Sequence, residues 1–362
     1  MGKKSIVAVG LMSGTSADGV DAALLHTDGE SVIDVRGGIT LPYDDDMRSR
    51  LLDASQHDAP TVELLRLERD VTMHHAAAVA KLLSKAAPSD RKPEVVGFHG
   101  HTIRHVPREN LTMQIGNPWL LSQETGLRVV TDFRRNDIAL GGQGAPLASM
   151  FHQSLFVDEA PPIGVLNLGG VANITWLGPN NTIIAGDTGP GCGLLDEWVQ
   201  EMAGMPHDRD GKLALAGEAH REIVEEALAE EFFTKPLPKS ADRFEFDHID
   251  VSMLSIEDGA ATLCAVTAGA IYAAARKLPA MPSTLWVTGG GVHHPLIMKM
   301  LADFFGSVRC VSERGQNPDT LEAECFAWLA VRHLRGLPLT MPETTGCSEA
   351  TCGGTVTCGC PA

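Results

Sequence analysis

The chain has 362 residues, 44% hydrophobic and 21% charged, with a formal net charge of −17. That length suggests two domains, each able to bury its own core, and the apolar share excludes a disordered chain. The acidic balance, with no compensating basic stripe, argues against nucleic acid or an anionic membrane surface as a partner.

Met1-Gly-Lys-Lys4 enters an apolar run at once and carries no signal-peptide pattern. Ile6-Val-Ala-Val9 reads as a buried strand, and residues 20–25 as its hairpin partner. The turn between them is Gly-rich and hydroxylated. Gly14 and Gly19 are expected to let the backbone approach a ligand, and Ser13, Thr15 and Ser16 offer hydroxyls. A turn of exposed N–H groups is an anion cradle. Asp18 and Asp21 bring oxygen ligands of the kind magnesium takes. Standing alone, the segment reads equally well as an ordinary Gly/Ser hairpin.

Residues 61–87 carry helical periodicity, stopped by Pro88. Residues 95–98, 111–115 and 127–130 read as short strands, with a helix over 118–125 ending at Gly126. A glycine-rich loop over 137–144 precedes a helix over 146–156. The hairpin pattern then recurs over 163–176, with Asn167, Gly169, Gly170 and Asn173 in the turn. A third strand, 182–185, runs into Asp187-Thr-Gly-Pro-Gly191. Helices are expected over 193–203, 219–233, 256–277, 294–305 and 319–334, with an irregular loop over 236–246. The strand at 284–288 leads into Gly289-Gly-Gly291. No run reaches the ~18 apolar residues of a membrane-spanning helix.

This alternation predicts α/β architecture with mixed sheets. No low-complexity linker separates the halves, so the boundary is expected at a hinge near Arg134. The first domain takes residues 1–134 with the tail from about 336, and the second takes 135–335. Gly141, Gly142 and Gly144, with the crossing after Leu334, are the hinge candidates for a domain closure.

Two strand–turn–strand loops and a late glycine-rich loop resemble the nucleotide cleft of the sugar kinase, Hsp70 and actin superfamily. The resemblance implies a two-domain actin-like ATPase (ribonuclease H-like) fold, with a nucleotide cleft between the domains. It implies that ATP phosphates are held by Gly14, Thr15, Ser16, Asp18, Gly19 and Asp21 from one side. Asn167, Gly169 and Gly170 hold them from the other, and Gly289, Gly290 and Gly291 lie against adenosine. Mg2+ is assigned to Asp18 and Asp21.

A closer resemblance rests on longer strings. These are Met12-Ser-Gly-Thr-Ser-Ala-Asp-Gly-Val-Asp21, Gly97-Phe-His-Gly-His-Thr102 and Leu111-Thr-Met-Gln-Ile-Gly116. They continue with Asp132-Phe-Arg-Arg-Asn-Asp-Ile-Ala-Leu-Gly-Gly-Gln-Gly-Ala-Pro-Leu147 and Leu166-Asn-Leu-Gly-Gly-Val-Ala-Asn-Ile174. Asp187-Thr-Gly-Pro-Gly191, Asp208-Arg-Asp-Gly211 and Glu322-Ala-Glu-Cys-Phe-Ala-Trp-Leu329 complete the series. Together they closely resemble the anhydro-N-acetylmuramic acid kinases of bacterial cell-wall recycling. That family opens the 1,6-anhydro sugar with water and places the γ-phosphoryl group of ATP on O6.

The resemblance implies that Asp187 is the general base. It favours Arg134 over Arg135 as the inward clamp for the lactyl carboxylate, since neighbours on an extended strand face opposite ways. His99 is implied as a sugar hydrogen-bonding group and Glu322 as a partner for a sugar hydroxyl or N-acetyl group. Read without the resemblance, these are an Asx turn residue, half of a solvated pair, a core histidine and a first-turn glutamate. His101 and Cys192 stand where the family pattern has Gln and Asn.

Other readings compete. His99-x-His101-x3-His105 has the look of a metal string for a hydrolase. An actin- or Hsp70-like module would use the same cleft without sugar chemistry. A kinase for another anhydro sugar, such as levoglucosan, would have no use for a carboxylate clamp. Cys347, Cys352, Cys358 and Cys360 lack the paired spacing of a zinc knuckle, so a free, frayed tail is expected. With no secretory signal, a reducing cytoplasm is expected, and homodimerisation is left open.

Overall fold

The computed structural model describes residues 4–241 and 243–358. Cys360 lies outside them. The chain divides into two compact units, Met1–Val157 with Asp319–Ala362, and Asp158–Pro318.

The first unit opens with the meander β1 (Ile6–Ser13), β2 (Gly19–Thr27) and β3 (Ile33–Pro42). Helices α1 (Asp45–Gln56) and α2 (Thr61–Lys85) follow, then β4 (Val95–Val106), β5 (Leu111–Ile115), α3 (Pro118–Thr125) and β6 (Arg128–Thr131). Two short helices, α4 (Arg135–Ala139) and α5 (Ser149–Leu155), end this passage. The second unit runs β7 (Ile163–Leu168), β8 (Val171–Leu177), β9 (Ile183–Pro190) and α6 (Gly193–Ala203). It continues with α7 (Arg221–Ala229), α8 (Glu231–Thr234), α9 (Ile256–Ala275), β10 (Thr284–Thr288), α10 (Pro295–Phe305) and β11 (Val308–Cys310). The chain then re-enters the first unit with α11 (Leu321–Leu334), α12 (Pro342–Thr345) and β12 (Thr355–Thr357).

Both sheets share one plan. In the first, the order is β12-β6-β4-β1-β2-β3, with β5 pairing β4 off this path. In the second it is β11-β10-β7-β8-β9. Each sheet has an antiparallel three-strand meander. Two later strands run parallel on the other side of the meander's first strand. This is the duplicated actin-like α/β architecture expected from the sequence.

Glycines let α11 lie on the first sheet. Gly10 on β1 and Gly97 on β4 are register partners. A Cβ on Gly10 would stand 1.7 Å from the Ala323 carbonyl oxygen, and one on Gly97 would stand 2.0 Å from that of Phe326. With side chains removed at both places, helix backbone meets strand backbone directly. Helix α11 is buried from Ala323 to Arg332, with Leu321 buried and Glu322 half-buried before them, which explains an apolar pattern with no clean polar face. The other face of this sheet is covered through Leu51, Leu67, Val71 and Val79 of α1 and α2. The second core gathers around α9, whose Leu263, Val266 and Ile271 pack with Leu166 and Ile174 of β7 and β8.

Several expectations are corrected here. The boundary falls at Val157/Asp158 rather than near Arg134, and the return crossing at Pro318/Asp319 rather than after Leu334. Arg134 and α11 therefore both belong to the first unit. Helix α9 has 20 residues and the length and composition to cross a membrane, but 78% of its most apolar window is buried, so it is a core helix. The tail does not fray before Cys358. Strand β12 pairs antiparallel with β6, Thr340 bridges Thr351, and Cys347 is buried. The region over 219–233 breaks into α7 and α8 at Glu230, which has an extended backbone.

Candidate active site

The first hairpin turns between β1 and β2, where the Ala17 N–H donates to the Gly14 carbonyl at 3.0 Å. A Cβ on Gly14 would meet only Ser16 Oγ at 3.7 Å, so this glycine faces open space. Gly19 differs: its Cβ would stand 2.5 Å from the Leu41 carbonyl oxygen, so β3 packing, not a ligand, requires glycine there. Ser13 also departs from expectation. Its hydroxyl is buried and bonds His101 Nδ1 at 2.9 Å and the Tyr43 hydroxyl at 3.0 Å. Strand alternation points it into the unit, while Thr15 and Asp18 are exposed.

Asp21, half-buried on β2, accepts from Thr40 Oγ1 at 2.6 Å. Burial raises its carboxyl to about 7, opposed by the Thr40 bond and helped by Glu322, Asp319 and Asp18 nearby. The packing of α11 on Gly10 brings Glu322 into this acidic group. Asp18 pairs with Arg48 at 3.5 Å. No preformed cluster of three or more metal-ligating His, Cys, Asp or Glu exists among the described residues. Magnesium needs only one or two carboxylates when phosphates supply the rest, so Asp21 and Asp18 suit it.

Strand β4 carries the histidine string, but its members diverge. His99 Nδ1 bonds the Gly100 carbonyl at 3.0 Å, and its Nε2 accepts from Arg134 Nε at 3.1 Å and Nη2 at 2.9 Å. His101 turns to Ser13, and His105 Nδ1 to Thr112 Oγ1 at 3.0 Å. A three-histidine metal site is thereby ruled out. Burial and the Arg134 charge hold His99 well below the usual histidine range, so it is neutral. Its ring tilts against Phe326 of α11 at 4.7 Å.

Arg134 Nη1 donates to the Gly144 carbonyl at 2.7 Å. Arg135 is exposed and paired with Asp132 at 2.8 Å. Arg134 is thus the inward arginine, though not through strand alternation: β6 ends at Thr131, and Arg134 precedes α4.

In the second unit, Asp187 is buried and lies within β9, opposite Asn173, not in a turn after a strand. Its Oδ2 accepts from the Ala241 N–H at 2.9 Å, and its own N–H donates to the Lys239 carbonyl at 2.8 Å. Gly186 permits this crossing, because its Cβ would stand 2.8 Å from the Lys239 carbonyl oxygen. Burial, with Lys277 nearby, lowers Lys239 to about 8 against the pull of Asp187.

The second hairpin and the late loop pack together. Gly289 has φ +85°, and its Cβ would stand 2.6 Å from Asn167 Oδ1, a buried oxygen with no hydrogen-bond partner. A Cβ on Gly291 would strike Leu168 at 2.3 Å, whereas Gly290 faces open space. The Gly169 and Gly170 carbonyls accept from the N–H groups of Cys192 at 2.7 Å and Gly191 at 2.9 Å. Cys192 starts α6 without a side-chain cap, and burial, with Asp196 beside it, holds its thiol far above the usual range.

The structure thus brings Arg134 to His99 and Glu322 to Asp21 in the first unit. Asp187, Asn167 and the two Gly-rich turns belong to the second. Thr40, Tyr43, Asp137 and Asp319 were not picked out from sequence. Tyr43 had one signal, being one of only two tyrosines in the chain.

Two sheets built on one plan, each with a glycine-bearing hairpin after its first strand, define the actin-like ATPase fold class. A family model described as Anhydro-N-acetylmuramic acid kinase matches residues 6–359. The protein of that name from Acidiphilium cryptum (strain JF-5) is 48% identical over 357 residues, covering 96% of this chain and 97% of its own. Its counterpart from Paramagnetospirillum magneticum is 45% identical over 353 residues, covering 96% and 99%. The chain belongs to the anhydro-N-acetylmuramic acid kinase family. Among solved structures, a xylulose kinase from Lactobacillus acidophilus is similar at 9% identity and a TM-score of 0.43, over 98% of this chain and 94% of that one.

Proposed function

We propose that the chain opens 1,6-anhydro-N-acetylmuramic acid with water and phosphorylates it from ATP, giving N-acetylmuramic acid 6-phosphate and ADP. The observation that carries this reading is Arg134, a cation held in place by neutral His99 and the Gly144 carbonyl. A preorganised guanidinium suits the lactyl carboxylate of this sugar. A neutral sugar such as levoglucosan would give it no charge partner.

Asp187 takes a proton from water as the water oxygen bonds C1. The C1–O6 bond breaks, and O6 takes the γ-phosphoryl group as ADP leaves. The Ala241 N–H fixes the carboxylate that accepts the proton. His99 acts mainly through Arg134, because its ring nitrogens bond Gly100 and Arg134. Glu322 is assigned to a sugar hydroxyl or N-acetyl group. Gly14, Thr15, Ser16, Asn167, Gly169 and Gly170 are assigned to the phosphates, and Gly290, the open member of its triplet, to the adenosine side. Asp21 and Asp18 would hold Mg2+, which neutralises charge on the transferring phosphoryl group. The free cysteines among the described residues favour a reducing cytoplasm.

The test is incubation with ATP and 1,6-anhydro-N-acetylmuramic acid, followed by product mass. Asp187→Asn is expected to retain ATP binding while turnover falls by roughly two to four orders of magnitude. Absence of the phosphorylated product refutes the substrate assignment, and near-normal turnover of the Asn variant refutes the base.

A further inference from the structure

We infer that Asp137 is a positioning residue for Arg134, and that the C-terminal segment holds it in that role. The inference rests on the reading of Arg134 as the carboxylate clamp. Asp137 is fully buried at the third position of α4. Its Oδ2 accepts from the Gly144 N–H at 2.6 Å, and its Oδ1 accepts from Thr340 Oγ1 at 2.5 Å and Thr345 Oγ1 at 2.6 Å. Gly144 is the residue whose carbonyl receives Arg134 Nη1. A single residue, Gly144, therefore links the buried carboxylate to the guanidinium.

The loop is shaped for this contact. A Cβ on Gly142 would stand 2.2 Å from Asp137 Oδ2, so only glycine lets the loop wrap the carboxylate. Gly144 has φ +67°, a left-handed conformation in which its N–H meets Asp137 while its C=O meets Arg134. The Gln143 N–H donates to the Thr345 carbonyl at 2.7 Å, and the Ser348 N–H to that of Leu140 at 2.9 Å. Residues 340–348 thus close the loop from outside. A buried carboxylate is held by hydrogen-bond donors, and here the Thr340 and Thr345 hydroxyls come from the C-terminal segment. If Asp137 loses them, Gly144 is free to rotate, and Arg134 loses its contact with the Gly144 carbonyl.

The experiment measures sugar and ATP kinetics separately for Asp137→Asn, for Thr345→Val and for Arg134→Ala, alone and combined. A misplaced clamp raises the KM for 1,6-anhydro-N-acetylmuramic acid on the order of tenfold with the KM for ATP unchanged. In the Arg134→Ala background, adding Asp137→Asn or Thr345→Val is expected to cost no further sugar affinity. Thr345→Val keeps the side-chain volume and serves if Asp137→Asn folds poorly. Equal losses for sugar and ATP, or full additivity with Arg134→Ala, would overturn the positioning role and leave a purely structural one. Unchanged sugar KM in Arg134→Ala itself would instead overturn the clamp reading on which the inference stands.

Discussion

Two glycines of the first hairpin separate a packing role from a ligand role. Gly10→Ala places a Cβ 1.7 Å from the Ala323 carbonyl oxygen and 2.5 Å from the Ala327 nitrogen. Real Cβ atoms essentially never approach closer than 3.0 Å, so α11 must retreat by about 1.3 Å, and no rotamer change relieves a backbone obstacle. Overpacking costs about 1–3 kcal/mol, and this contact belongs at the upper end. Each kcal/mol moves the melting temperature of a unit this size by about 2–4 °C, so a fall of roughly 6–12 °C is expected. Turnover should fall too, by up to about a hundredfold, because Glu322 precedes Ala323 on the displaced helix. Gly14→Ala meets only Ser16 Oγ at 3.7 Å. It should melt within about 1 °C of the parent, as surface changes do, while raising the KM for ATP. Scanning calorimetry and coupled ADP-release kinetics read both effects. An unchanged melting temperature for Gly10→Ala, or an unchanged ATP KM for Gly14→Ala, would refute the division of roles.

Glu324 is fully buried, and burial raises its carboxyl to about 8 against a Thr320 hydrogen bond. The folded state then holds a proton that the unfolded chain releases, so the contribution of Glu324 to stability falls as pH rises from about 4.5 to about 8, against the opposite trend of the buried histidines. Glu324→Gln should melt about 2–4 °C higher at pH 8.5, with the gain vanishing near pH 4.5 in matched thermal scans. Burial lowers His75, His105 and His152 to about 3 and takes His99 well down too, so all four fold neutral. The unfolded chain takes up their protons below about 6.5, and stability should drop steeply from there toward pH 4. Urea midpoints that stay flat between pH 6.5 and 4.5 would contradict this. Arg134→Lys loses the fork onto His99 and should raise the sugar KM on the order of tenfold without moving that of ATP. Isothermal titration with the sugar alone checks it.

Much of this architecture is local and therefore readable in the chain. Strand alternation, a glycine-bearing turn and a second strand sit within a few residues of one another at β1–β2 and β7–β8. Helix stops such as Gly126, in the left-handed conformation that closes α3, are local as well. The acidic pair Asp18 and Asp21, the buried histidine on β4 and the Gly289–Gly291 turn were visible for the same reason. Asp187 was visible by its string, although its place inside β9 depends on pairing with β8.

What the sequence alone did not decide depends on contacts between distant residues. Whether a glycine serves a ligand or a neighbour is set by what its missing Cβ would strike. Gly14 strikes almost nothing, Gly19 strikes β3, and Gly10 strikes a helix more than three hundred residues later in the chain. The membership of Glu322 follows from that last contact, which draws α11 back to the first sheet. The tail reads as frayed because its cysteines lack the paired spacing of a metal knuckle. Its segment over 340–345 is held because Asp137, buried without a cation among its hydrogen-bond partners, takes Thr340 and Thr345 as donors. The pattern of side chains along a strand or helix is written in neighbouring residues, whereas a buried charge or a bare backbone patch acquires its partner only when the chain closes on itself.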